Sequence, residues 1–102
     1  MNKEQLKNEV NNRIEILKSY LGQVQKIENY KYDIECQSYF PMINNTIIKM
    51  RKRLELIMSK SDTEFKEFNI ANYIKDLDNM MNTPKCTLEH IKSKGLIPKP
   101  LR

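Results

Sequence analysis

Apolar residues recur along the opening of the chain at steps of four and three: Leu6, Val10, Ile14, Leu17, Leu21, Val24 and Ile27. At that spacing they fall on one stripe of an α-helix, and a stripe must be covered by something. No proline and a single glycine interrupt positions 3 to 34, so the pattern predicts one helix over 3–34, on the order of 45–50 Å long at 1.5 Å per residue. After Val24 the steps shorten through Ile27, Tyr30 and Ile34, which rotates the stripe and predicts a second neighbour for the later half. Gly22 costs about 1 kcal/mol against alanine inside a helix, which predicts a close approach by a neighbouring backbone or a mild bend there.

The run Cys36 to Met42 breaks the periodicity, and Pro41 fits the first turn of a new helix. That second helix is predicted over 41–59, with Ile43, Ile47, Met50, Leu54 and Ile57 forming a heptad seam, and Ile48 and Met58 widening the apolar face. Ser61 and Glu64 match a capping box that opens a third helix over 62–82, with Asn69 placed to cap a fresh start after a break near Phe68. Thr83-Pro84 as a start and Gly95 as a stop bound a fourth helix over 84–94, from which Leu88 and Ile91 face the core. Pro98 and Pro100 then force an extended tail over 95–102. The predicted fold is all-α, a single domain over 1–102: an antiparallel hairpin of two long helices, two shorter C-terminal helices and an extended basic tail.

Length turns this pattern into an expectation about docking. A second helix of roughly 28 Å covers only about half of the first. Leu6, Val10 and Ile14 are then left to be covered by the third helix or by a second chain, and the second case makes them a partner-binding face and the chain a homodimer.

Charge adds a little. The net charge is +5, and Lys85, Lys92, Lys94, Lys99 and Arg102 face only Glu89 across 84–102, so the basic excess sits mainly in the tail. A basic tail suits nucleic acid, an acidic protein surface or water alike. Cys36 and Cys86 read as reduced thiols, the polar start MNKEQLKNEV does not read as a secretion signal, and no run reaches the roughly 20 apolar residues of a membrane span. These features predict a cytoplasmic protein with no membrane contact.

The inventory for chemistry is thin. Cys86 and His90 lie four apart on one predicted face, which supplies half of a zinc site at most, and Cys36 is the sole remaining sulfur that is not a methionine. His90 is the one histidine, and no phosphate-cradling glycine loop or nucleophile beside a base is present. Asp33 with Glu35, and Asp76 with Asp78, are separated by two and diverge on a helix. The sequence therefore predicts no enzyme, no metal and no cofactor. Lys49, Arg51, Lys52 and Arg53 form a basic cluster on the second helix, suited to phosphate, to pairing with Glu55, Asp62, Glu64 and Glu67, or to solvent.

The run from Thr87-Leu88 through Lys92-Ser93-Lys94-Gly95-Leu96-Ile97-Pro98-Lys99-Pro100 resembles the end of the helix-turn-helix in MerR-type regulators. In that family a recognition helix carrying Thr-Leu leads through Gly-Leu-Ile/Leu-Pro-x-Pro into a wing. The resemblance implies that Ile70 to Asn79 is the first helix of the pair and that Pro84 to Lys94 enters the major groove of DNA. Lys85, Glu89, Lys92 and Lys94 would then read the duplex, with Lys99 and Arg102 on phosphate. The favoured reading of Gly95 is an ordinary helix stop before a proline-stiffened tail that packs on the body. The leading expectation is a non-enzymatic helical protein that regulates by binding another protein, and the DNA-binding regulator is its rival.

Overall fold

The computed structural model describes residues 1–93, and among these every element is helical: α1 (Lys3–Gln25), a single 3-10 turn at Tyr30–Tyr32, α2 (Ile34–Met58), α3 (Asp62–Glu67) and α4 (Ile70–Ser93). The predicted stop at Gly95 and the extended basic tail over 95–102 lie outside the described residues. Three helices of 23, 25 and 24 residues pack side by side, and α3 is one short turn between them. The expected pair of long helices with two shorter ones is thus replaced by three of nearly equal length.

Local chemistry explains each boundary. Asn2 and Gln5 cap α1 reciprocally, with the Gln5 amide donating to Asn2 Oδ1 at 2.8 Å and the Asn2 amide donating to Gln5 Oε1 at 2.9 Å. α1 ends at Gln25 rather than reaching position 34, because Asn29 adopts the left-handed region at φ 63° and Asp33 starts a new helix. The Asp33 carboxylate accepts the Cys36 amide at 2.9 Å. Ile27 and Tyr30 still pack on the core, but from this connection, which is why their spacing imitates a continuing helix.

α2 accordingly begins at Ile34, and Pro41 stands inside it rather than in its first turn. The capping box at Ser61 and Glu64 is present, and Asn69 Oδ1 accepts the Asn72 amide at 3.0 Å to start α4 after Phe68 turns extended. α4 then continues without a break through Thr83-Pro84 to Ser93, so the separate helix over 84–94 does not form. Pro84 is buried, and its carbonyl accepts the Tyr39 hydroxyl at 2.7 Å, so the proline ring packs in the core instead of marking a helix start.

Polar contacts at the helix ends fix how the three long helices lie together. The Lys3 ammonium, at the start of α1, donates to the carbonyls of Met58 and Lys60 at the end of α2, a favourable place for a cation. It also stands 5.9 Å from the centre of the Phe65 ring on α3. Midway, Arg13 donates from Nε to Asp78 Oδ1 at 2.9 Å and from Nη1 to Glu9 Oε1 at 2.9 Å, which ties α1 to α4. At the far end Lys92 donates to Gln23 at 2.9 Å, and His90 Nε2 lies 3.0 Å from Glu35 on α2.

One core results. Leu6, Val10 and Leu17 from α1, Ile43 and Met50 from α2, and Leu77 and Ile91 from α4 are fully buried. Leu6 and Val10 are 0% exposed and Ile14 is 2% exposed, so the start of α1 is sealed within a single chain. Its expected role as an uncovered docking face is overturned. The reason is length: α2 gains about two turns at its start and α4 is unbroken, so both neighbours run as far as α1 does.

Candidate interaction surface

With α1 closed off, the apolar surface left in solvent lies elsewhere. Six large hydrophobic residues are exposed among the described ones: Met1, Ile16, Tyr32, Ile34, Ile48 and Leu56. Single exposed apolar groups are ordinary on a soluble protein, and Met1 and Ile16 fit that description. The other four do not, because Tyr32 at 86%, Ile34 at 80%, Ile48 at 47% and Leu56 at 69% all belong to α2 or the turn that leads into it.

Helical geometry explains why they are outside. Cys36, Tyr39, Ile43, Ile47, Met50, Leu54 and Ile57 carry the buried side of α2. Ile34, Pro41 and Ile48 follow one another at steps of seven, which keeps them within about 40° of one another, opposite Ile43. Leu56 lies two turns beyond Ile48 along the row that Lys52 shares. The outward side of α2 therefore carries an apolar line from Ile34 to Leu56, roughly 33 Å long. Ile34 sits on it because Asp33 caps α2, which assigns Ile34 to the outside of α2 rather than to the stripe of α1.

Charge divides this face. Towards Ile34 the exposed neighbours are the neutral Gln37, Ser38, Asn44 and Asn45, with the part-exposed carboxylate of Glu35 beside Ile34 and 3.0 Å from His90. Towards Leu56 they are Lys49, Arg51, Lys52 and Arg53, with Glu55. Arg53 leans inward: its Nη2 is 3.7 Å from Asp76 on α4, and its guanidinium lies 5.2 Å from the centre of the Tyr73 ring. Lys49, Arg51 and Lys52 form no ion pair among the described residues.

The residues expected to read DNA are placed differently. Lys85, Glu89 and Lys92 lie exposed on the outer side of α4, and the Lys92 ammonium is held by Gln23. A helix-turn-helix needs two helices set at an angle across a turn, and Ile70–Ser93 is one helix, so the paired arrangement implied by the resemblance is absent. Lys94, Lys99 and Arg102 lie outside the described residues. Cys86 is exposed beside His90, Cys36 is buried in the core, and no group of three metal-ligating side chains forms among the described residues. No helix there is long and apolar enough to cross a membrane. Two shallow depressions flank Lys3, one lined by Lys7, Leu54 and Met58 and the other by Asp62, Phe65 and Lys66, and they open broadly to solvent. Compared with protein-family models, curated proteins and solved structures, the chain matches none.

Proposed function

We propose that this chain is a non-enzymatic, cytoplasmic helical protein that regulates by binding protein, and that it does so through the outward side of α2. The observation that carries the reading is the alignment of Ile34, Pro41, Ile48 and Leu56 on that side, four apolar groups on one line in solvent while the opposite side of the same helix fills the core. A line of this kind loses water-exposed apolar area only when another surface lies along it. The basic cluster of Lys49, Arg51 and Lys52 borders the Leu56 end of that line.

Photo-crosslinking in the cells that make the protein tests the reading. Benzoylphenylalanine at position 48 is compared with the same group at position 16, since Ile48 and Ile16 are similarly exposed, at 47% and 44%. The expected result is a discrete protein adduct from position 48 that is missing from position 16. Equal patterns at both positions, or adducts with nucleic acid or lipid alone, contradict it.

A further inference from the structure

The outward side of α2 has a property that its exposure alone does not require: it is complementary to itself. Two helices that cross about a two-fold axis in opposite directions bring residue i of one against residue j of the other, and j against i, so each apolar group needs a counterpart at equal distance beyond the axis. Ile34 and Leu56 share a midpoint at Asn45, and Pro41 and Ile48 share one between Asn44 and Asn45. Both pairs therefore demand the same axis, to within half a residue. We infer that the face is filled by a second copy of the chain, with the two α2 helices packed in opposite directions about Asn45. This rests on the reading of α2 as a protein-docking side and supplies its occupant.

Both ends of the line match. Ile34 of one copy, with Tyr32 beside it, meets the partner's Leu56, and Pro41 meets the partner's Ile48. Four of the six exposed large hydrophobic residues leave water in the process, and Met1 and Ile16 stay outside. The charges are compatible as well. An axis at Asn45 sets Lys52 opposite the partner's Ser38 and Arg53 opposite the partner's Gln37, so the basic cluster of one copy lies over a half of the other whose one charged side chain from Ile34 to Ile48 is Glu35. In the same-direction arrangement the two basic clusters would coincide, which disfavours it. The polar pair Asn44 and Asn45 lies at the centre of the contact, where bridging water satisfies the side-chain amides.

The salt response follows from the net charge of +5 on each copy. Two chains of like charge repel at long range, and salt screens that repulsion. Association of two copies should therefore strengthen severalfold between about 50 mM and about 500 mM salt. An acidic partner would give the opposite slope.

Sedimentation equilibrium and cysteine cross-linking of the full chain test the inference. The wild-type chain is expected to be a dimer at about 100 µM, and Ile48→Asp or Leu56→Asp to weaken association more than about tenfold. Ile16→Asp, on α1, leaves it unchanged. On a Cys86→Ser background Asn45→Cys lies on the axis and links to its own copy under mild oxidation, whereas Lys52→Cys does not. A dimer that ignores Ile48→Asp, or in which Lys52→Cys links as readily as Asn45→Cys, overturns the inference. A monomer throughout that still yields a protein adduct at position 48 overturns the second copy but leaves the docking side standing. A monomer with no such adduct overturns both.

Discussion

Two buried tyrosines show how differently one hydroxyl can act in the same core. Tyr39 is 1% exposed and its hydroxyl donates to the Pro84 carbonyl at 2.7 Å, whereas the Tyr73 hydroxyl has no hydrogen-bond partner among the described residues although the residue is 2% exposed. Removing a satisfied buried hydroxyl strands its acceptor, and removing an unsatisfied one relieves a desolvated dipole. Tyr39→Phe should therefore cost about 1 kcal/mol, and Tyr73→Phe should be neutral or stabilising, as read from urea midpoints. Equal losses from both would contradict the placement of the two hydroxyls. Burial also pushes both phenols above their ordinary value of 10.0, with desolvation as the main cause in each. The folded state holds protons that the unfolded chain releases, so this contribution is complete below pH 10.0 and is lost as pH rises beyond it. The urea midpoint should fall from about pH 10 upward, and the paired Phe variant should flatten the fall. A midpoint that drops just as steeply in that variant would assign the alkaline loss to other groups.

At the scale of the element, Gly22 gives a clean case. An added Cβ there would meet nothing within 4 Å, so the glycine marks neither a close approach nor a contact and only raises the entropy of the unfolded chain. Gly22→Ala should stabilise the protein by about 0.5–1 kcal/mol, seen as a rise of a few degrees in the melting midpoint, and a loss of stability would show that α1 needs the glycine. The helices also differ in how far their sequences reveal them. The seam from Ile43 to Ile57 and the Ser61 and Glu64 cap were legible because each depends on residues within a turn or two of one another. The end of α1 was not. Ile27 and Tyr30 continue its spacing while packing from a connection, and the competing signal, a left-handed Asn29 four residues before a capping Asp33, is short and purely polar. Pro84 misled in the opposite sense. Thr83-Pro84 suits a helix start wherever the proline meets water, but here tertiary burial of the ring and the Tyr39 bond override the local preference. The candidate surface was hidden for the same reason. The spacing assigns Ile34 to the first helix, and only the start of α2 at Ile34 sets it outside, whereas Ile48 lies about 140° from Ile43 around the same helix and so falls outside the core face it is expected to widen.

Over the whole molecule, these boundary shifts exchange the inside for the outside. Three helices of matched length close around the stripe that opens the chain, and the apolar surface without a cover moves to the back of α2. The ion pairs between helices are mostly at exposed positions and add little individually. Hydrophobic burial therefore carries the assembly of the three helices, and any association with a further chain has to use what that burial leaves over. The most direct test is a pair of thermal melts on single variants of one helix, Val10→Asp and Ile16→Asp, followed by circular dichroism. A carboxylate at Val10 enters a site that is 0% exposed, and should cost at least about 3 kcal/mol, lowering the midpoint by more than about 12 °C or unfolding the chain. At Ile16, 44% exposed, the same change should lower it by less than about 6 °C. A Val10→Asp chain that melts like the wild type would mean that the opening stripe faces outward after all, and the three-helix closure would be wrong.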